Sequence, residues 1–245
     1  MRKIIFIIIT LLCSIGAKAD TKKADKLFDR WEYARAAALY EKEAIDHPSA
    51  LVYYKLGLCY MRMSNYAKAV AAFDQVDKKG KFSIPNFYLE YGQMLKANAQ
   101  YPEAKEAFKK YMAMKPTDKR GRFFMESCDI AKDDHVDDLP LIVENVLPLN
   151  SPYADLCPVM FKDGVVFTSA CGKDKRTRID GWSGEHFLGL YYAKRGGSYT
   201  DFDHLVPFLN KEVVNKYHDG PACFSPQEDT PAGRAGMGDD QQLAR

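Results

Sequence analysis

Residues 50–76 read ALVYYKLGLCYMRMSNYAKAVAAFDQV, and residues 85–111 read PNFYLEYGQMLKANAQYPEAKEAFKKY. Set one above the other, they correspond at eight positions 35 residues apart: Tyr53/Tyr88, Leu56/Tyr91, Gly57/Gly92, Tyr60/Leu95, Tyr66/Tyr101, Ala69/Ala104, Phe73/Phe108 and Val76/Tyr111. Within each stretch the apolar residues recur at helical spacing on either side of a polar break, Ser64-Asn65 in the first. Each copy therefore predicts two helices folded back on one another. Gly57 with Ala69, and Gly92 with Ala104, let the paired helices approach closely, while the aromatic rings fill the space beside them.

A period in the mid-thirties with small residues fixed between aromatics is the signature of a tetratricopeptide (TPR) array. Residues 21–48 fit a divergent first repeat. Ala24 and Leu27 stand in its first helix, Tyr33, Ala36 and Tyr40 reproduce the second 33 residues ahead of Tyr66, Ala69 and Phe73, and Pro48 ends it. After the terminating Pro116, Thr117-Asp118 offers a helix N-cap, and Phe123, Phe124, Cys128 and Ala131 form the apolar stripe of a capping helix. The array occupies residues 20–132.

The N-terminus has the form of a secretory signal over residues 1–19: Arg2-Lys3, the apolar run Ile4 to Leu12, and Ala17-Lys18-Ala19 before Asp20. That run is too short to span a bilayer, so the mature chain is expected to lack a transmembrane span. Cys13 offers the rival of lipidation, disfavoured by the bulky Leu12 before it. Cleavage removes three positive charges, Arg2, Lys3 and Lys18, and takes the formal net charge from +2 to −1. A near-neutral chain with 47% hydrophobic residues carries neither a disordered composition nor a nucleic-acid footprint. The five remaining cysteines are irregularly spaced and make no disulfide framework; Cys59 reads as a buried hydrophobe, and a Cys157–Cys171 pair stays open.

Asp133-Asp134-His135-Val136-Asp137-Asp138, before Pro140, reads as a solvated acidic linker over residues 133–140, with a divalent cation as the weaker alternative. Beyond it the texture becomes strand-like. Pro158 to Phe161, the turn Lys162-Asp163-Gly164 and Val165 to Ser169 predict a hairpin, followed by strands at Phe187 to Ala193 and Asp203 to Phe208. Four antiparallel strands in series form a meander, the unit of a propeller blade. Tyr217 to Phe224 echoes Tyr153 to Phe161, so the start of a second blade is expected. Residues 141–229 thus read as an incomplete all-β propeller segment behind an all-α solenoid. Residues 230–245, poor in large apolar side chains, read as a disordered or frame-shifted tail.

The order of these parts, with Asp-x-x-Pro-x-x-Phe and Val-Phe-Thr-Ser in the blades, resembles the OmpA-family envelope proteins of Bacteroidetes that carry WD40-like PD40 blades, the PorE-like group associated with type IX secretion. The resemblance implies a scaffold at the periplasmic side of the outer membrane, with envelope secretion components among its partners. It implies peptidoglycan binding only through an OmpA domain that these residues do not contain.

No catalytic constellation, cofactor motif or metal motif stands out. His47, His135, His186, His204 and His218 are scattered. Gly181-Trp182-Ser183-Gly184 lacks the spacing and context of a nucleophile elbow, and Gly233 to Gly238 lacks the strand a dinucleotide fold needs. Lys173 to Arg178 reads as an exposed basic loop, and Trp182 with Tyr191-Tyr192 as packing aromatics or a sugar platform. The candidate site is the groove lined by first helices: Tyr54, Met61 and Arg62 in one repeat and Asn86, Gln93 and Lys96 in the next. That mixture suits an extended peptide or a partner helix. The expected function is a non-enzymatic, exported scaffold. The alternatives are a glycan- or lipid-binding propeller supported by the repeats, and a fragment of a propeller-containing peptidase.

Overall fold

The computed structural model describes residues 21–80, 83–133, 143–172, 178–198, 200–208 and 217–224. The signal-like segment, Cys13, most of the acidic run, residues 173–177 of the basic loop and the tail after Phe224 lie outside them. The chain divides into two compact units, one of residues up to Leu139 together with Gly181–Gly184, the other of Pro140–Asp180 and Glu185 onward.

The first unit is a series of helical hairpins: α1 (residues 21–29) with α2 (Tyr33–Asp46), α3 (Ala50–Arg62) with α4 (Tyr66–Lys79), α5 (Phe87–Ala97) with α6 (Tyr101–Met114), then α7 (Arg120–Asp133). Local chemistry sets the boundaries. Ser49 accepts the Val52 N–H at the start of α3, Asn65 accepts that of Lys68 at the start of α4, and Asp118 accepts that of Arg120 at the start of α7. The three first helices end alike. Trp31, Ser64 and Ala99 take positive φ, and the next amide turns back to Leu27, Tyr60 and Leu95 respectively.

Glycine and phenylalanine fix each hairpin. A Cβ on Gly57 would lie 2.2 Å from the Phe73 ring, and one on Gly92 would lie 2.5 Å from the Phe108 ring. Both rings are fully buried. In the divergent first repeat Ala24 and Tyr40 stand in these places, both fully buried, and the Tyr40 hydroxyl leaves the core to donate to Asp25.

Neighbouring helices are further joined by tyrosine hydroxyls donating to carboxylates. Tyr60 of α3 bonds Glu41 of α2, Tyr88 and Tyr91 of α5 bond Asp77 and Asp74 of α4, and Tyr111 of α6 bonds Asp118 ahead of α7. Arg120 completes the last of these by donating to the same carboxylate, holding Asp118 well below the usual carboxylate range.

The second unit is one four-stranded antiparallel sheet in the order β1 (Asp155–Phe161), β2 (Gly164–Ser169), β3 (Gly189–Arg195), β4 (Phe202–Pro207). The expected meander is therefore present as a single sheet, and a full propeller is not shown. Val165 and Phe167 of β2 pack with Tyr191 and Ala193 of β3 on one face, as the two-residue side-chain period requires. Two details differ from the expectation. The β1–β2 turn places Lys162, not the Asp-Gly pair, in the left-handed region, and Gly164 is already paired within β2, where a Cβ would lie 2.2 Å from the Ala193 carbonyl. Phe187 precedes β3 because Leu188 is bonded outside the ladder, its N–H donating to His218 Nδ1 and its carbonyl accepting from Asp219. The echo between Phe161 and Phe224 has a physical counterpart, since the two rings touch at a tilt of 34° with centroids 4.2 Å apart. Cys157 and Cys171 are not bonded to each other.

Gly57→Val should destabilise the helical unit by about 1–3 kcal/mol, because neither helix nor ring has room to yield. Chemical denaturation followed by far-ultraviolet circular dichroism measures this, and Phe73→Leu in the same chain should recover part of the loss. Equal losses with and without Phe73 would remove the ring as the cause.

Burial and the Asp77 bond raise Tyr88 to about 12, and Tyr54, Tyr60 and Tyr91 are shifted further in the same direction by burial and by Glu90, Glu41 and Asp74. A pKa raised on folding contributes stability that is complete below the unfolded value, about 10, and is lost as pH rises through the folded value. Stability should therefore fall from about pH 10 upward, with tyrosinate absorbance appearing together with loss of helix. Ordinary titration of all tyrosines with the helices intact would contradict this account.

Candidate functional site

Helices α1, α3, α5 and α7 occupy the first-helix places of successive repeats, and their polar side chains bond from one repeat to the next. Lys55 of α3 donates to Asp25 of α1 at 2.5 Å, Tyr54 of α3 donates to Glu90 of α5 at 2.7 Å, and Lys96 of α5 donates to Ser127 of α7 at 2.6 Å. Each bracket joins neighbours in the stack. Ser127 in turn donates to the Phe124 carbonyl of its own helix.

The six groove residues read from the sequence fall into different environments. Tyr54 is buried, with 8% of its surface exposed, and its ring packs near those of Phe73 and Phe87. Met61 is half-buried against the helical core, Gln93 and Lys96 are half-buried, and Arg62 and Asn86 are exposed. Tyr54 thus presents less apolar surface than its residue type suggests, while Arg62 and Asn86 stand in water. Sequence reasoning missed Asp25, Lys55, Glu90 and Ser127 as bracket partners. A signal existed for two of them, because Lys55 and Glu90 are 35 residues apart and hold the same place in the repeat. It also missed the exposed apolar residues Leu51, Phe123 and Ile130, at 48%, 66% and 71% exposure.

Glu90 carries the distinctive electrostatics of this face. Burial raises its carboxyl above the usual range, opposed by the Tyr54 hydrogen bond and the positive charge of Arg62. The charged form is therefore held at a cost that the hydroxyl and the guanidinium offset in part.

Elsewhere the side chains settle into structural roles. Cys59 is fully buried, and burial pushes its thiol up to about 12. Tyr191 is buried in the sheet and the Tyr192 hydroxyl donates to Asp163, so these adjacent strand residues face opposite sides and share no stacking surface. The Arg178 guanidinium lies 5.8 Å from the ring centres of both Phe187 and Tyr217. Gly181 to Gly184 form a turn. Among the described residues no group of histidines, cysteines and carboxylates is placed to hold a metal ion, and no helix is long and apolar enough to cross a membrane.

Comparison with known proteins agrees with the helical architecture. A family described as YpiA-like, C-terminal tetratricopeptide repeats, matches residues 50–118. The chain carries tetratricopeptide repeats. No curated protein matches it. Similar solved structures include the second TPR domain of human RPAP3 in complex with the HSP70 peptide SGPTIEEVD, at 17% identity and TM-score 0.41, with 48% of this chain and 98% of that one covered. Another is the Sgt2 TPR domain of Aspergillus fumigatus, at 16% identity and TM-score 0.42, covering 53% of this chain and 89% of that one. A third is the Yersinia enterocolitica type III secretion chaperone SycD in complex with a peptide of the translocator YopD, at 17% identity and TM-score 0.40, covering 47% and 94%.

Replacing Glu90 with glutamine removes the buried charge and keeps an acceptor for Tyr54. Because the folded pKa is raised, the carboxylate's cost to stability sets in as pH rises past the unfolded value, is complete above the folded one and vanishes below both. Glu90→Gln should therefore raise Tm at about pH 7 and leave it unchanged at about pH 3, where the unfolded group is also protonated. A lower Tm at pH 7 would show that the carboxylate is a net stabiliser.

Proposed function

We propose that this chain is a non-enzymatic scaffold that holds a protein partner, an extended peptide or a helix, on the first-helix face of its TPR array. The observation that carries this reading is the set of brackets from Asp25 through Lys55, Tyr54, Glu90 and Lys96 to Ser127. They hold the backbone of that face rigid while Arg62, Asn86 and Gln93 remain available for orientation and Leu51, Met61, Phe123 and Ile130 for apolar contact. Rigid presentation lowers the ordering cost of binding to the partner alone. The secretory form of residues 1–19 supports export, and the resemblance of the blade motifs to PD40 proteins of the OmpA family supports a periplasmic, outer-membrane-associated place beside secretion components. The four-stranded meander and the contact of Phe161 with Phe224 support reading the sheet unit as one blade of a propeller.

Selection of displayed peptides against the full chain tests the groove. Peptides recovered on the native protein should lose at least about tenfold in affinity when Arg62→Glu, Asn86→Ala and Gln93→Ala are combined, as expected for removal of several orienting contacts. All three side chains lie outside the buried core; because the Arg62 charge partly offsets the buried Glu90 carboxylate, the variant should stay helical by circular dichroism with a lowered Tm, and affinities are compared well below that temperature. Recovered peptides that bind this variant as tightly as the native chain would overturn the groove reading.

A further inference from the structure

The helical unit contains one segment from far along the chain, Gly181–Gly184. We propose that the tip of the first hairpin, together with the C-terminal end of α3, is a receptor for a tryptophan-bearing glycine turn, filled here by this chain's own Gly181-Trp182-Ser183-Gly184. The site is independent of the groove reading, because its chemistry lies at the helix ends.

Three observations converge. The first is satisfaction of helix ends. A helix leaves its first N–H groups and last carbonyls without partners, and Glu32, preceding α2, makes no side-chain cap. The Gly181 carbonyl accepts the Ala34 N–H at 3.1 Å, and the Trp182 indole N–H donates to the Arg62 carbonyl at 2.9 Å. One turn thus serves the start of α2 and the end of α3 at once.

The second is aromatic packing. The Trp182 ring meets Tyr33 edge-on, with centroids 4.8 Å apart at 88°, and Trp31 at 6.4 Å and 69°. Tyr33 is 5% exposed in this arrangement. Edge-to-face pairs of this geometry add to the apolar area they bury.

The third is the demand on the flanking residues. Gly184 has φ +78° and a Cβ there would lie 2.9 Å from the Ala34 Cβ, while a Cβ on Gly181 would lie 3.1 Å from Glu32 Cγ. The backbone must come this close for the carbonyl to reach Ala34. Each letter of Gly-Trp-Ser-Gly except Ser183 therefore has a stated role: close approach, anchor, and a left-handed exit.

The turn acts as a clasp on the divergent first repeat, which lacks the Gly-Phe interlock of its neighbours. It also seats its anchor on the backbone of Arg62, so the clasp and a residue of the groove share one helix end.

Amide hydrogen exchange on the full chain tests this. In Trp182→Ala, and separately in Gly184→Val, exchange at Ala34 and the first turn of α2 should accelerate on the order of tenfold, the loss of one hydrogen bond with its cover. Amides in α5 and α6 should keep their protection. Adding a synthetic peptide of residues 179–185, IDGWSGE, to Trp182→Ala should slow Ala34 exchange again. Unchanged exchange at Ala34 in both variants would overturn the proposal. So would equal loss of protection throughout the array, which would make Trp182 a general core residue, and so would a peptide without effect.

Discussion

A phenylalanine ring resting on a bare glycine backbone is the contact from which the helical unit is built. Because Phe73 lies against Gly57 with no room for a Cβ, the axes of α3 and α4 are held closer than two side-chained surfaces would permit. The same ring reaches outward to the next repeat, meeting Phe87 at 5.7 Å and Tyr91 at 6.1 Å. Phe108 repeats the arrangement on Gly92 and stacks on Phe124 of α7 at 5.8 Å. One side chain therefore closes a hairpin and forms the interface to its neighbour. Stability passes from repeat to repeat through these rings, as expected of an array whose units touch only the adjacent ones.

Polar groups follow a matching rule. Tyrosines carry an apolar body into the interface and a hydroxyl to its edge, where a carboxylate of a neighbouring segment receives it, on the preceding helix for Tyr60 and Tyr91 and further along the chain for Tyr54 and Tyr111. Along the first-helix face the same logic uses lysines and Ser127. The result is a surface whose charges are engaged internally before any partner arrives. In the proposed groove, a partner would meet apolar contact at Met61, Phe123 and Ile130, with Arg62 as an exposed charge to orient it.

The helical unit was legible because its constraints are local and periodic. Gly57, Gly92, Phe73 and Phe108 announce both the hairpin and its interlock, and Asp118 announces the start of α7. The meander was legible from alternation and turn residues, although Gly164 serves close strand approach rather than the turn. The groove was less legible. Whether Tyr54 faces water or Phe87 depends on a residue 33 positions away, and the Glu90 bond that fixes it crosses one full repeat of sequence. The role of the Gly181–Gly184 turn was not readable, since its partners Ala34 and Arg62 lie more than a hundred residues upstream.

The chain has two tryptophans, Trp31 and Trp182, and both stand at the tip of the first hairpin. All of its indole emission therefore originates from one spot. A repeat array can open from one end while the rest stays folded, so a fluorescence melt of this protein follows the first hairpin, the end of α3 and the turn seated on them. The tyrosines, which include residues of α2 to α6 and of β3, see the remainder. A difference between the two signals would be a direct reading of how far cooperativity extends along the stack.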